Sequence, residues 1–191
     1  MGKYIKYLII GVVGLVSIGV LTYQYSDSAK KQVQLQALDA VHDLATNRMK
    51  KQAENGSTSV AAEFINFPIE ATEVADGIIR VTGIGNIYMV PTDEGNVLFD
   101  TGLVMQVPKQ IAAMNKAVPD NKLTHIILSH SHADHIGGVK YWKEDGVEII
   151  AHDQFTEEQR YLKALEPYLH DRNRLLFPFM PEEPPTAEMI A

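Results

Sequence analysis

The segment Ser129–Gly138, which reads SHSHADHIGG, constrains this chain more than any other part of its sequence. Within six consecutive residues it places four side chains of the kinds that bind metals: His130, His132, Asp134 and His135. A chain with only 7 His in 191 residues rarely produces such a cluster by chance. Because the sequence contains no Cys, a thiolate metal site and a disulfide framework are both excluded. Any bound metal must therefore be held by His, Asp or Glu.

The spacing within the motif indicates how these side chains could share a metal site. Thr124–Ser129 (THIILS) is a short apolar run typical of a buried strand, and an extended segment is expected to follow it. In an extended segment His130 and His132 point to the same side, so both imidazoles can approach one cation. Asp134 and His135 fall in the turn that opens the next helix, where they can serve a neighbouring cation. The alternative is a surface loop whose polar residues cap that helix.

Around the motif, strand patterns alternate with helix patterns. The apolar, β-branched runs that predict strands are Ile78–Thr82, Ile84–Val90, Val97–Phe99, Thr124–Ser129 and Val147–Ala151. The runs that predict helices are Val107–Val118, Ile136–Glu144 and Thr156–Leu169. This alternation predicts an α/β domain, with a hairpin around the turn-rich residues 91–96. Polar groups that follow a strand, as in the motif, are typical of ligand sites in such sheets.

The N-terminus has the features of an export segment. Tyr7–Tyr23 is an uncharged apolar run of 17 residues, and Lys3 and Lys6 precede it. One interpretation is a membrane anchor with its lysines in the cytoplasm, and the other is a signal peptide cleaved near Ser26–Ser28. A buried core helix is a third alternative. The first two place the rest of the chain outside the cytoplasm, anchored to the membrane or secreted, and in the periplasm of a Gram-negative source.

The residues between this segment and the α/β region predict an amphipathic helix and a joint. Over residues 29–53 apolar side chains recur at helical spacing, at Leu38, Val41, Ala45 and Met49. Gly56–Ser59 (GSTS) is typical of a flexible joint. The predicted organisation is an anchor or signal over residues 1–28, a helix and linker over 29–59, and an α/β domain over 60–191.

Composition and charge limit the partners. With 46% hydrophobic residues the chain is expected to fold around a core, and a net charge of −7 argues against nucleic acid as a partner. We expect a small-molecule substrate, and contact with a membrane through the N-terminal segment.

The motif resembles the signature of the metallo-beta-lactamase superfamily. The resemblance covers roughly residues 78–153, where a hairpin, an Asp100-Thr101-Gly102 turn, a helix and a strand precede the motif. It implies an αββα sandwich with a dinuclear metal site between its two sheets. By the resemblance His130 and His132 would bind the first metal, Asp134 and His135 would bind the second, and Asp100 would orient the metal-binding loop.

The resemblance also implies an activity, which is metal-assisted hydrolysis. Two cations, zinc by preference with Fe or Mn as alternatives, would activate a water, and Asp134 would accept a hydrogen bond from it. Relatives act on esters, lactones, lactams and sulfate esters. A faint similarity of residues 161–181 to alkylsulfatase-like members favours alkyl sulfate.

The sequence departs from the family in its second half. Family members complete the site with further ligands from a second half of the fold, yet His170 is the only His after His152. We therefore expect residues 60–191 to be the N-terminal half of a longer enzyme, so that this chain alone could be inactive. The alternative is a non-catalytic remnant or a metal-binding module. Of the other histidines, His125 is expected to be structural, His152 to be packed and hydrogen-bonded, and His42 and His170 to lie on helix surfaces.

Overall fold

A computed structural model describes residues 26–55 and 68–176 of the chain. The chain divides into two compact units, residues 1–37 and residues 38–191. The described part of the first unit is the start of helix α1 (Asp27–Glu54), which continues into the second unit. All other described elements belong to the second unit.

The second unit contains one mixed sheet of six strands. Its strands are β1 (Ala71–Ala75), β2 (Ile78–Val81), β3 (Ile87–Thr92), β4 (Gly95–Phe99), β5 (Leu123–Ile127) and β6 (Glu148–Ile150). They lie side by side in chain order. Strands β1 to β4 pair antiparallel, whereas β4, β5 and β6 run parallel. The parallel half contains the strand that leads into the histidine motif.

The helices of this unit follow the parallel strands, as the α/β prediction requires. They are α2 (Val107–Ala117), α3 (Ala133–Ile136), α4 (Val139–Trp142), α5 (Phe155–Ala164) and α6 (Glu166–Leu176). Helix α2 begins with a Pro in its first turn and buries Val107, Gln110 and Met114, which share one face. The α/β fold class expected from the sequence is thus confirmed for the described residues.

One face of the sheet holds the hydrophobic core. Met89, Leu98 and Ile126 lie opposite one another on β3, β4 and β5, and each is almost completely buried. Met114 of α2 and Trp142 of α4 belong to the same core cluster. Alternate residues of each strand point to opposite faces, so this packing determines which side chains face the other way.

The opposite face also carries apolar side chains. In one row across four strands lie Tyr88, Phe99, Ile127 and Ile150. Phe99 and Ile150 are exposed, and among the described residues none of the four belongs to the core cluster. The described part of the chain thus supplies one sheet, with side chains of several helices packed against one of its faces.

Helix α1 confirms the predicted helix and part of its predicted face. His42, Ala45 and Met49 are buried, whereas Val41 is 52% exposed. The buried face is therefore rotated by about one residue from the one that apolar spacing indicated. The interpretation of His42 and His170 as surface residues was wrong, because the two side chains are buried, at 6% and 7% exposure.

Several boundaries differ from those expected from the sequence. The predicted helix over Thr156–Leu169 is two helices, because Pro167 begins a new one at α6. The predicted helix over Ile136–Glu144 is two single turns, α3 and α4, separated by Gly137 and Gly138. The edge strand β1 was not predicted, since its side chains are mostly exposed and follow no apolar pattern.

Some predictions concern residues that the structure does not describe. The export segment over Tyr7–Tyr23 and the joint over Gly56–Ser59 lie outside the described residues. Within residues 26–55 and 68–176, no helix has both the length and the apolar character that crossing a bilayer requires.

Candidate metal centre

The histidine motif lies in the loop that joins β5 to α3, at the carboxyl end of a parallel strand. The backbone of His132 is extended, and it is followed directly by the short helix that carries Asp134 and His135. This is the local structure that the spacing of the motif predicted. The Asp100 backbone also lies here, because its N–H donates to the carbonyl of Ile127 at 2.9 Å.

The structure brings the predicted imidazoles together. The ring centroid of His130 lies 4.6 Å from that of His132 and 4.0 Å from that of His135. The Asp134 carboxylate joins the group, since its Oδ2 is 3.4 Å from Nε2 of His135. Four side chains with metal-binding donors therefore occupy one small region of the surface.

Asp100 contacts this group from the sheet side. Its Oδ2 lies 2.7 Å from Nδ1 of His135, and it also accepts a hydrogen bond from the Ser129 hydroxyl at 2.8 Å. Its Oδ1 accepts a further hydrogen bond from the Ser129 N–H at 2.8 Å. The Ser129 hydroxyl oxygen is in turn 2.9 Å from Nδ1 of His130. Two imidazoles are thus oriented through their Nδ1 atoms, which leaves Nε2 of each as the nitrogen that a metal would use.

The backbone of Asp100 explains how one carboxylate reaches so many partners. Its φ of 58° is in the left-handed region, and it is the one described residue other than glycine with a positive φ. Asp is among the few residue types that adopt this conformation readily. The turn directs a buried carboxylate toward Ser129 and His135, which lie 29 and 35 residues further along the chain.

Thr101 joins the Asp100 turn to the motif through the backbone. Its N–H and its hydroxyl both donate to the carbonyl of His135, at 2.7 and 2.8 Å. Its own carbonyl accepts a hydrogen bond from the Trp142 indole at 3.2 Å. A Cβ on Gly138 would collide with that same carbonyl, so this position requires glycine. Thr101 was not identified from the sequence as part of the site.

A second loop packs against the motif from another side. Gly85, between β2 and β3, lies so close to the Asp134 carbonyl that a side chain there would overlap it. Two buried glutamines of the α2 region hold this loop: Gln106 Oε1 accepts from the Ile84 N–H at 2.8 Å, and Gln110 Nε2 donates to the Gly85 carbonyl at 2.9 Å. These two glutamines were not identified from the sequence. Polar side chains at helix positions whose spacing predicts burial could have indicated them.

Ser131, between the first two histidines of the motif, faces the opposite way. It is 5% exposed, and its hydroxyl donates to Oε2 of Glu158 on α5 at 3.1 Å. Neither residue was identified from the sequence, since a separation of 27 residues carries no local pattern.

The donor atoms of this group are of the types that zinc binds. Zinc in enzymes is bound by imidazoles and carboxylates, and this group has three imidazoles and one carboxylate. Two of the imidazoles are also hydrogen-bonded through the nitrogen that would not bind the metal, as metal-binding histidines usually are. These side chains do not form a finished ligand shell: within the described ranges, no three His, Cys, Asp or Glu side chains are placed to hold one ion together. His132 is exposed, so its ring can turn toward an ion without disturbing the core.

The remaining histidines lie apart from this group. His125 is 3.0 Å from the Thr124 hydroxyl and 3.8 Å from Glu148, on the sheet face opposite the core. His152 is hydrogen-bonded as expected, since its Nδ1 accepts from the Gln154 N–H at 3.2 Å, and the same atom lies 2.8 Å from Oδ1 of Asp153. It is not packed, however, since its side chain is 77% exposed.

The comparisons with known proteins agree on one family. The family model of the metallo-beta-lactamase superfamily matches residues 80–180, more than half of the chain. Two curated relatives are a metallo-beta-lactamase type 2 of Bacillus cereus and the lactamase-like protein vrtG of Penicillium aethiopicum. The first is 34% identical over 62 residues, which are 32% of this chain and 24% of that protein. The second is 32% identical over 85 residues, 44% of this chain and 25% of that protein. The chain spans about a quarter of the length of these relatives.

Partial matches among solved structures include an alkylsulfatase and a lactamase. The stereoselective inverting sec-alkylsulfatase Pisa1 of Pseudomonas sp. is 23% identical with a TM-score of 0.49, over 56% of this chain and 18% of that one. A metallo-beta-lactamase of Hirschia baltica is 23% identical with a TM-score of 0.43, over 50% of this chain and 48% of that one.

Proposed function

The chain belongs to the metallo-beta-lactamase superfamily, and on this basis we propose that it carries the first half of the metal site of a zinc-dependent hydrolase. Membership supports a metal-dependent hydrolase at the level of the superfamily. The zinc ions, their number and the roles of individual residues are the finer part of the proposal.

The observation that supports this function best is the convergence of His130, His132 and His135. The rings of His132 and His135 lie within 4.6 Å of the His130 ring, and Asp134 is beside them. Structural histidines are usually separate and hydrogen-bonded into a core, whereas three neighbouring rings above one buried carboxylate favour a cation. In the proposal His130 and His132 bind the first zinc, and Asp134 and His135 bind the second.

In the proposed reaction, the metal and the side chains of the protein have different roles. Bound zinc would lower the pKa of a water toward neutrality and stabilise negative charge that develops on the attacked centre. Asp134 would accept a hydrogen bond from the attacking water and so hold it in place. Asp100 keeps the His135 ring in one orientation through its contact with Nδ1, and the turn at Thr101 keeps the backbone of that ring in place.

A second function, a metal-binding module without catalysis, is favoured by a different observation. Among the described residues, no three His, Asp or Glu side chains are placed to hold one ion together. Such a module would bind zinc and hydrolyse nothing.

The experiment that separates these functions uses the purified full chain and the His132→Ala variant. Zinc affinity is measured by competition with a chelator, and hydrolysis is followed on lactam, lactone, ester and sulfate ester substrates. We expect His132→Ala to weaken zinc binding by more than the roughly 10- to 100-fold that loss of an outer hydrogen-bond partner causes, and to abolish hydrolysis with it.

His152→Ala is the matched control, because it removes an exposed imidazole outside the motif. It should keep both properties of the parent chain. Zinc binding without hydrolysis of any substrate would select the binding module. Unchanged zinc affinity in His132→Ala would contradict both functions.

A further inference from the structure

We propose that Glu158 is a positioning residue for the histidine loop and acts through Ser131. The inference rests on the proposed function, because it concerns how the loop is prepared to hold zinc. Glu158 bonds to the Ser131 hydroxyl and not to a metal-binding side chain. Its effect would therefore pass through the backbone between His130 and His132.

The loop is built so that Ser131 is its inward anchor. In an extended segment neighbouring side chains alternate, and the rings of His130 and His132 meet on one side with centroids 4.6 Å apart. Ser131 faces the other way and is 5% exposed, whereas His132 is exposed. Rotation of the backbone at Ser131 would therefore change the separation and direction of both imidazoles.

Glu158 holds this anchor by a hydrogen bond from another part of the chain. Its Oε2 accepts from the Ser131 hydroxyl at 3.1 Å. Glu158 lies in the first turn of α5, and Phe155 at the start of that helix packs against the core cluster. The helix that carries Glu158 is thus held against the core, and the Glu158 side chain reaches Ser131 from the surface.

Asp100 and Glu158 act on different parts of the loop. Asp100 binds Ser129 before the segment and His135 after it, so it fixes the two ends. Glu158 fixes the middle, through the side chain that lies between the first two histidines. Outer partners of this kind change metal affinity by about 10- to 100-fold when they are removed, because the ligands lose their orientation.

The test measures zinc affinity of the full chain by chelator competition in Ser131→Ala, Glu158→Ala and Glu158→Gln. We expect the two alanine variants to bind zinc about 10-fold more weakly, and the double variant to be no weaker than either. Glu158→Gln should bind nearly as tightly as the parent, because its amide oxygen still accepts the serine hydrogen bond. Glu157→Ala is the matched control, since the neighbouring carboxylate pairs with Arg160 on the helix surface.

Two results would overturn the inference while the proposed function stands. One is unchanged zinc affinity in both alanine variants. The other is equal weakening in Glu158→Gln and Glu158→Ala, which would show an effect of charge and not of the hydrogen bond.

Hydrogen exchange of the metal-free chain gives a readout that does not depend on zinc. Ser131→Ala and Glu158→Ala should both speed exchange of the amides of residues 129–135, and Glu157→Ala should not. If the parent chain binds no zinc, the proposed function fails, and this exchange measurement alone decides whether Glu158 orders the loop. Unchanged exchange in both alanine variants would then reject the inference.

Discussion

At the scale of single residues, Asp100 organises the candidate site more than any ligand does. It is buried, adopts a left-handed backbone conformation and accepts hydrogen bonds from the Ser129 backbone and hydroxyl. The same carboxylate contacts the ring of His135. One side chain thus connects the strand β4, the loop after β5 and helix α3.

Asp100→Asn tests this role. Asn is the same size and tolerates the left-handed conformation, so the fold should be kept. The amide replaces one carboxylate oxygen and cannot serve both His135 and Ser129 as two acceptor oxygens do. We expect zinc affinity, measured by chelator competition, to fall by about 10- to 100-fold. Asp153→Asn, at an exposed Asp, should leave affinity unchanged, and an unchanged affinity in Asp100→Asn would show that Asp100 is only a turn residue.

The sequence was most informative about residues that are close together in the chain. Four potential metal-binding side chains within six residues predicted a loop with converging side chains, and the rings of this loop do lie together. The contact of Ser131 with Glu158 and the glutamines beside Gly85 were not predictable in this way. Their partners are 22 to 27 residues apart, so only the folded chain brings them together.

At the scale of elements, α1 shows where pattern alone misleads. The helix was predicted correctly, but His42 occupies a buried position that apolar spacing assigned to Val41. An ion-pair link to α2 helps to explain why this face of α1 is the buried one. The Lys109 ammonium lies 2.9 Å from carboxylate oxygens of both Asp39 and Asp43, which are one turn apart on α1. Ion pairs of this kind cannot be predicted from the spacing of apolar residues.

Lys109→Met tests the link. Met keeps the aliphatic stem of the side chain and removes its charge, so α1 should pack less firmly against α2. We expect faster hydrogen exchange over residues 42–54 and a small drop in the melting temperature, since partly exposed ion pairs contribute little. Lys116→Met, at an exposed position of the same helix, is the control. Equal exchange in both variants would contradict a role for Lys109.

The link should also depend on pH. The hydrogen bond and charge of Lys109 lower the pKa of the Asp43 carboxyl below its ordinary 3.8, and the hydrogen bond to Asp43 raises the pKa of Lys109 above its ordinary 10.5. A lowered acid pKa adds stability that is lost as pH falls through the folded-state value, and a raised lysine pKa adds stability that is lost as pH rises through it. The difference in melting temperature between the parent chain and Lys109→Met should therefore be largest from about pH 5 to 9, and it should shrink below about pH 3.8.

At the scale of the whole molecule, the described residues form one covered sheet face and one apolar face outside the core. Strand and helix alternation was enough to predict the α/β class, because each element has its own period. The order of strands and the packing of Trp142 against the Asp100 turn depend on contacts across the fold, which periodicity does not contain. Phe99 and Ile150 on the second face agree with the expectation that a complete family domain has a further sheet there.

The central claim is that the motif of residues 130–135 binds zinc, and X-ray absorption at the zinc edge tests it most directly. The measurement uses the full chain loaded with zinc and a variant in which His130, His132 and His135 are all replaced by Ala. We expect imidazole nitrogens at roughly 2.0–2.1 Å from zinc in the parent chain, and loss of the imidazole signal in the triple variant. A parent spectrum with only oxygen ligands, or one that the triple variant reproduces, would contradict zinc binding by the motif.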